Sequence, residues 1–231
     1  MARVAIFADI HATLAALDQA LSLIAREQVD AIYVCGDIVG YGTEPNDCCR
    51  RLRELTNCRV VAGNHDWAVV GMTDFSRYNA EAQAVIQQHK ATLENDDLEW
   101  LRSLPLLIHE QEMSFVHASL VYPEQWKYLM LNVCGVDIPY QDVTKTFRVM
   151  MPGTVCFVSH SHQPRLWLQR EGGKIEACPL DAELVLGQGD RAVADVGSVS
   201  MPRKDKLASF AIYDRERRSL RFVRYHLSIG R

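Results

Sequence analysis

Along the first third of the chain, short unbroken apolar runs alternate with stretches where apolar residues recur every three or four positions. Val4–Phe7 is the first run, and it ends at Asp9. Leu14, Leu17, Leu21 and Ile24 then share one helical face, and Thr13 is placed to cap that helix. Ala31–Cys35 reads as a second buried strand closing on Gly36-Asp37. A helix led by Pro45 runs towards Leu55, with the proline near the first turn, where its missing N–H costs little. Arg59–Ala62 is a third strand, ending in Gly63-Asn64. Strands joined by helices in this rhythm predict βαβ units and a largely parallel sheet.

After two further helices, near Ala80–His89 and Asp96–Leu104, the pattern changes. Leu106–His109 and Met113–His117 form a hairpin pattern around Glu110-Gln111-Glu112, and Val155–Ser159 is another short strand. Arg165–Gln169 and Lys174–Ala177 flank Glu171-Gly172-Gly173, a turn signal. Ala208–Tyr213 and Leu220–Tyr225 pair across residues 214–219. The second half is therefore expected to be β-rich and antiparallel. No linker, repeat or low-complexity stretch divides the chain, so the expectation is one mixed α/β domain over residues 1–231.

Composition narrows the function classes. A formal net charge of −4 gives no general pull on nucleic acid or acidic membranes. No apolar run reaches the ~18 residues of a membrane span. The start, Met1-Ala2-Arg3-Val4, enters a strand pattern at once rather than a signal peptide. Seven cysteines without a CxxC spacing suit reduced thiols, so the expected compartment is the cytoplasm. The vicinal Cys48-Cys49 reads as two positions on one helix, and P-loop and dinucleotide-binding fingerprints are absent.

The chemistry lies in where the polar residues fall. Asp9 and His11 follow the first strand, Asp37 the second, Asn64 and His65 the third. His117 ends the hairpin strand, and Ser159-His160-Ser161-His162 follows the strand after it. In α/β sheets, ligands gather outside the carboxyl ends of strands. Any one of these motifs is ordinary; five in this order, each at a strand end, form a constellation. His89, His109 and His226 read as ordinary surface or half-buried residues. Carboxylates, an amide and imidazoles without thiolate suit Mn²⁺, Fe or Zn²⁺ better than Ca²⁺ or a structural Cys-zinc site. There are donors enough for two ions, with Asp37 able to bridge both. Two divalent ions against two aspartates leave a positive site, which favours an anion, and phosphate esters are the obvious class. Two metals ~3.5–4 Å apart activate water and stabilise in-line phosphoryl displacement.

At this point the sequence resembles the calcineurin-like metallophosphoesterase superfamily, in its small prokaryotic phosphodiesterase-type branch. The five blocks are Asp9-Ile10-His11, Gly36-Asp37-Ile38-Val39-Gly40-Tyr41-Gly42, Gly63-Asn64-His65-Asp66, Val116-His117 and Ser159-His160-Ser161-His162. Asp195-Val196-Gly197-Ser198-Val199 with Pro202-Arg203 resembles the closing motif of that branch. The resemblance implies two mixed β-sheets packed as a sandwich and flanked by helices. It implies Asp9, His11, Asp37 and His162 on one metal, and Asp37, Asn64, His117 and His160 on the other. His65 would be the catalytic histidine that binds no metal, and a hydroxide bridging two divalent ions the nucleophile. Manganese is the expected ion, with iron, zinc or nickel as alternatives.

Three departures matter. Gly40-Tyr41 replace the Asp-Arg pair of Gly-Asp-x-x-Asp-Arg-Gly that protein phosphatases and symmetrical dinucleoside tetraphosphatases carry, which disfavours both activities. Ala8, Ala12 and Thr13 alter the first loop without touching its ligands. Ser159 and Ser161 replace the Gly and Thr of Gly-His-Thr-His, and Ser159 is expected to stiffen a turn that favours Gly. Residues 119–152, with Tyr122, Trp126, Tyr128 and Tyr140, are expected to cap the site, their aromatics either stacking on a base or aryl group or forming the cap's own core. The expected activity is metal-dependent hydrolysis of small phosphodiester or nucleotide-type esters. The alternatives are protein phosphatase or tetraphosphatase activity, or a non-catalytic scaffold on the same fold. The sequence leaves the oligomeric state open.

Overall fold

In a computed structural model, residues 3–130 and 140–228 are described. The first half runs β1 (Arg3–Phe7), α1 (Leu14–Ala25), β2 (Ala31–Val34), α2 (Pro45–Arg53), β3 (Cys58–Val60), α3 (Asn64–Val69), α4 (Ala80–Thr92) and α5 (Asn95–Ser103). Then come β4 (Leu107–Glu110), β5 (Met113–Val116), β6 (Tyr128–Met130), β7 (Tyr140–Asp142), α6 (Val143–Val149) and β8 (Val155–Val158). The last elements are β9 (Arg165–Gln169), β10 (Ile175–Cys178), β11 (Leu184–Val185), β12 (Arg191–Asp195), β13 (Ala208–Asp214) and β14 (Ser219–Tyr225).

Two six-stranded sheets result, ordered β11-β14-β13-β1-β2-β3 and β10-β9-β12-β8-β5-β4, with β6 and β7 pairing separately. The period-2 geometry of a strand builds the layers. In β1, Val4 and Ile6 face the core between the sheets, while Ala5 and Phe7 face the helices on the other side. Between the sheets, Tyr33 stacks on Phe115 with ring centroids 3.8 Å apart, and Phe115 on Phe157 at 5.4 Å. Helices α1 to α5 cover the outer face of the first sheet with Leu17, Ile24, Leu52, Ile86 and Leu101. Helix α6 lays Val143 and Phe147 on the outer face of the second, against Val158, Trp167 and Val193. The expected sandwich of two mixed sheets flanked by helices is thus present.

The second half is not purely antiparallel. β5 pairs parallel with β8, and β8 parallel with β12. Parallel neighbours need a long crossover, and residues 117–154, which include α6, supply one. The hairpin turn signals around these strands concealed it. Strand β12 is not among the strands expected from the sequence: Arg191-Ala-Val-Ala-Asp195 has small side chains and only one bulky apolar residue. Thr13 does not cap α1: its hydroxyl donates to the His11 carbonyl at 3.0 Å, and the Leu14 N–H is taken by Glu44 Oε2 at 3.1 Å.

Residues 119–152 divide. Trp126 and Tyr128 reach the cavity described below, whereas α6 packs on the far face of the second sheet; Tyr122 and Tyr140 are exposed. Residues 131–139, including Cys134, lie outside the described residues. Among the described residues no helix is long and apolar enough to cross a membrane.

Candidate metal centre

β1, β2 and β3 run parallel in one sheet, and β5, β8 and β12 in the other. The loops at their carboxyl ends meet. Asp9 and His11 come from β1, Asp37 from β2, Asn64 and His65 from the start of α3 after β3, His117 from β5, and His160 and His162 from β8. All eight expected site residues converge, and all are at least nine-tenths buried. Ser159 N–H donates to the His117 carbonyl at 2.7 Å, extending the pairing of β8 with β5, and Val199 N–H donates to the Ala8 carbonyl at 3.1 Å, tying the chain after β12 to the end of β1 in the other sheet.

The imidazoles are aimed by the backbone. His11 Nδ1 donates to the Val39 carbonyl at 3.1 Å, His117 Nδ1 to Cys35 at 2.6 Å, and His162 Nδ1 to Met201 at 2.9 Å. Each bond places the ring proton on Nδ1 and leaves the Nε2 lone pair facing inward, the arrangement that outer partners impose on metal-binding histidines. His11 Nε2 and His162 Nε2 then face each other at 3.1 Å, with Asp9 Oδ1 3.7 Å from the latter. Asp9 Oδ1 is buried and has no hydrogen-bond partner. On the other side, His117 Nε2 lies 3.1 Å from Asn64 Oδ1 and 3.3 Å from Asp37 Oδ2. Asp37 Oδ2 is also 3.8 Å from His11 Nε2, so one carboxylate stands between both groups.

Lone pairs directed at one another repel unless a cation separates them, and this holds at both points. Asp9, His11 and His162 form one set whose donor atoms all lie within 4.8 Å of one another; Asp37, His117 and His160 form a second; His11, Asp37 and His65 form a third. The donor sets fit two divalent ions. The electrostatics of the cluster point the same way. Burial opposes charge on His117, yet Asp37 beside it raises its pKa to about 9, so a proton is held where a cation would fit. Burial also raises Asp37, but His117, His65 and His11 together take it well below the usual carboxylate range. Asp9 is pushed up to about 7 by burial, against the pull of His117. Burial holds the His11 and His160 imidazoliums well down, and lowers His162 to about 4.

Five of the candidate ligands, Asp9, His11, Asp37, His160 and His162, have positive φ, between 47° and 70°. Around them lies bracing that the sequence reading did not assign. Asp66 accepts four backbone N–H bonds, from Asp37, Ile38, Val39 and Gly63, at 2.8–3.1 Å, locking the second block to the third. A Cβ on Gly63 would lie 2.1 Å from Asp37 Oδ1, so only glycine permits that approach. Ser198 and Ser200 donate to the Asp9 carbonyl at 2.9 and 2.8 Å. Ser161 is 2.6 Å from Asp195 Oδ2, steadying the turn between His160 and His162; burial raises the Asp195 carboxyl to about 8. Ser159 has no positive φ, so its turn does not call for glycine, and its hydroxyl bonds Asp9 Oδ2 instead. His89 is also not an ordinary surface residue. It is 1% exposed; its Nδ1 accepts from Gly40 N–H at 3.1 Å and its Nε2 donates to the Gly42 carbonyl at 2.9 Å.

His65 stands apart. Its N–H donates to Asp37 Oδ1 at 2.9 Å, but its ring Nδ1 is buried without a partner. Its ring is flanked by His11 at 5.1 Å, Tyr41 at 4.9 Å and Tyr78 at 5.4 Å. Burial lowers its pKa, so the ring is neutral near pH 7. A cavity of about 420 Å³ opens beside the cluster, with Tyr41, Tyr78, Trp126 and Tyr128 in its wall.

Residues 2–218 match the calcineurin-like phosphoesterase superfamily domain. An uncharacterized protein of Methanocaldococcus jannaschii is 32% identical over 231 residues, covering 98% of this chain and 88% of its own. A symmetrical bis(5'-nucleosyl)-tetraphosphatase of Vibrio vulnificus is 26% identical over 161 residues, covering 68% of this chain. That match takes in only 57% of the Vibrio enzyme's length. Among solved structures, a metallophosphoesterase from Sphaerobacter thermophilus superposes with a TM-score of 0.74 at 28% identity, covering 98% of this chain and 89% of its own. A hypothetical protein from Pyrococcus horikoshii shares the fold at a TM-score of 0.72 and 20% identity, covering 99% of this chain and 89% of its own.

Proposed function

The chain belongs to the calcineurin-like phosphoesterase superfamily, and we propose that within it this protein is a dinuclear metal-dependent hydrolase of small phosphodiester or nucleotide-type phosphate esters. The observation that carries the reading is the pair of inward-facing lone-pair clusters, His11 Nε2 against His162 Nε2 and His117 Nε2 against Asn64 Oδ1. Asp9, His11, Asp37 and His162 would hold one ion, and Asp37, Asn64, His117 and His160 the other. The donor chemistry favours Mn²⁺, with Fe, Zn²⁺ or Ni²⁺ as alternatives. Bound there, two such ions supply Lewis-acid activation of water and of the phosphoryl group.

The chain's own residues do the rest. His65 is neutral, next to Asn64 and in the cavity wall, so hydrogen bonding to the phosphoryl or leaving oxygen through the ring nitrogen turned away from Gly40 suits it. Trp126 and Tyr128, the part of residues 119–152 that reaches the cavity, offer flat faces to an aryl group or base. A cytoplasmic setting belongs to the same reading and is supported by the free cysteines.

The relatives named as tetraphosphatases support a nucleotide substrate as a second reading. Against that activity stands Gly40, which gives His65 Nδ1 no orienting carboxylate. The test is metal-stripped protein reloaded with Mn²⁺, analysed for metal and assayed on aryl monoester, aryl diester, cyclic nucleotides, dinucleoside polyphosphates and phosphoserine peptide. The expected result is close to two ions per chain and diester turnover at least comparable to monoester turnover. One ion or none with all ligands intact refutes the dinuclear site. Activity confined to phosphoserine peptide refutes the substrate class, and no turnover with both ions bound favours the scaffold.

A further inference from the structure

Where protein phosphatases and symmetrical dinucleoside tetraphosphatases carry a phosphate-gripping arginine, this chain has Tyr41, which lies edge-on to the His11 ring at 5.0 Å. A phenol brings no positive charge. The cavity wall nevertheless contains two cations, Arg77 and Arg203, and their surroundings differ. The charge of Arg77 acts on the exposed carboxylate of Asp74, four-square with the outer loop rather than with the candidate ligands. Arg203 has no ion pair with a carboxylate among the described residues.

Arg203 is fastened to the metal centre at both ends. Its N–H donates to the His162 carbonyl at 3.2 Å, while His162 Nδ1 donates to the Met201 carbonyl at 2.9 Å. This two-way clasp fixes residues 201–203 against one set of candidate ligands. At the other end, its guanidinium meets the hydroxyl of Tyr128. The Tyr128 ring stacks on His160, of the other set, with centroids 4.1 Å apart and planes 14° apart. Arg203 also lines a neighbouring cavity of about 260 Å³, so it borders both cavities, as Tyr128 does.

We propose that Arg203, steadied by Tyr128, is the cation that grips the phosphoryl group in this site, supplying from the chain's closing segment what Tyr41 does not supply from the second block. The inference rests on the phosphoesterase reading above and adds a charge preference to it. A guanidinium forks onto two phosphoryl oxygens. A monoester offers three non-bridging oxygens and two charges, a diester two oxygens and one charge. Monoesters and inorganic phosphate therefore depend on Arg203 more than diesters do.

The experiment is calorimetric titration of Mn²⁺-loaded protein with inorganic phosphate, alongside kcat/KM for an aryl monoester and an aryl diester. Arg203→Gln is expected to weaken phosphate binding by about tenfold or more, the scale of a charged hydrogen bond, with metal content unchanged. Arg203→Lys restores part of the loss. Tyr128→Phe keeps the ring on His160, removes the hydroxyl, and weakens binding by less. Arg77→Gln leaves it within about twofold of wild type, because its charge faces Asp74 and has no tie to the candidate ligands. The monoester kcat/KM falls further than the diester value in Arg203→Gln. Equal phosphate affinity in wild type and Arg203→Gln overturns the proposal, even where the wild type is a good enzyme. Loss of phosphate affinity in Arg203→Gln, in a wild type that turns nothing over, upholds the grip and refutes the hydrolase. Wild-type protein that binds no phosphate with both ions present overturns both.

Discussion

His89 offers a direct test of how the loop beneath the site is held. Its two ring nitrogens satisfy two backbone groups of one turn, Gly40 N–H and Gly42 carbonyl. His89→Leu keeps much of the volume and leaves both groups without that partner, the Gly40 N–H buried and the Gly42 carbonyl half-buried. At about 1–3 kcal/mol for the buried Gly40 N–H and less for the half-buried Gly42 carbonyl, the loss is roughly 2–4 kcal/mol, a large share of the ~5–15 kcal/mol that holds a domain folded. For a chain of this size the melting temperature should fall by roughly 4–16 °C. His89→Gln can replace one of the two bonds and should recover about half of that. The same turn carries Tyr41 against His65, so turnover should fall with it.

The pH dependence gives a second check. His89 must be neutral to accept from Gly40, and burial lowers its pKa below the ordinary value of 6.5. A base with a depressed folded pKa contributes fully above its unfolded value, and that contribution is lost as pH falls through the folded one. The stability gap between wild type and His89→Gln should therefore narrow on acidification from about pH 7.5 to pH 5. Thermal melts followed by circular dichroism read both effects. A melting point for His89→Leu within about 1 °C of wild type, or a gap constant with pH, refutes the account.

Two other substitutions separate the parts of the site. His65→Ala should lower kcat by ~10²–10⁴-fold with both ions retained on elemental analysis, whereas His117→Ala should lose metal and turnover together; full activity in His65→Ala refutes its role. Ser159→Ala frees Asp9 Oδ2 and should weaken Mn²⁺ binding at the Asp9 set by ~10–100-fold, leaving the Asp37–His117 set nearly unchanged. Equal weakening of both sets in a Mn²⁺ titration refutes that assignment.

Strand ends were legible because chemistry-bearing residues interrupt apolar runs there. Val4–Phe7 giving way to Asp9, and Val155–Val158 giving way to His160, need no tertiary information to be seen. What holds those residues was not legible. Asp66 follows His65 directly, yet its four backbone partners come from two different loops, and only the folded chain brings these together. His89 sits on a helix with weak amphipathic character, among Gln and Lys, and its partners are backbone atoms of glycines remote in sequence. The parallel pairing of β5, β8 and β12 was hidden for a related reason. The strands that meet are separated by hairpins or a helix, while the turn signals report only chain neighbours.

The positive φ angles of the candidate ligands bear on how this protein would respond to selection for heat resistance. L-residues held in the left-handed region lose about 1–2 kcal/mol each, less for Asp and His, which tolerate it best. Glycine escapes that loss, so exchanging Asp9, His11, Asp37, His160 or His162 for glycine would relax the local backbone while removing the chemistry. A library ranked by melting temperature alone, with no metal in the buffer, would therefore be drawn towards inert variants at these positions. On the proposed metal reading, adding Mn²⁺ should reverse the ranking, because an ion that binds only the folded chain rewards every side chain that holds it. For this fold, the composition of the screening buffer decides whether robustness and activity are selected together or against each other.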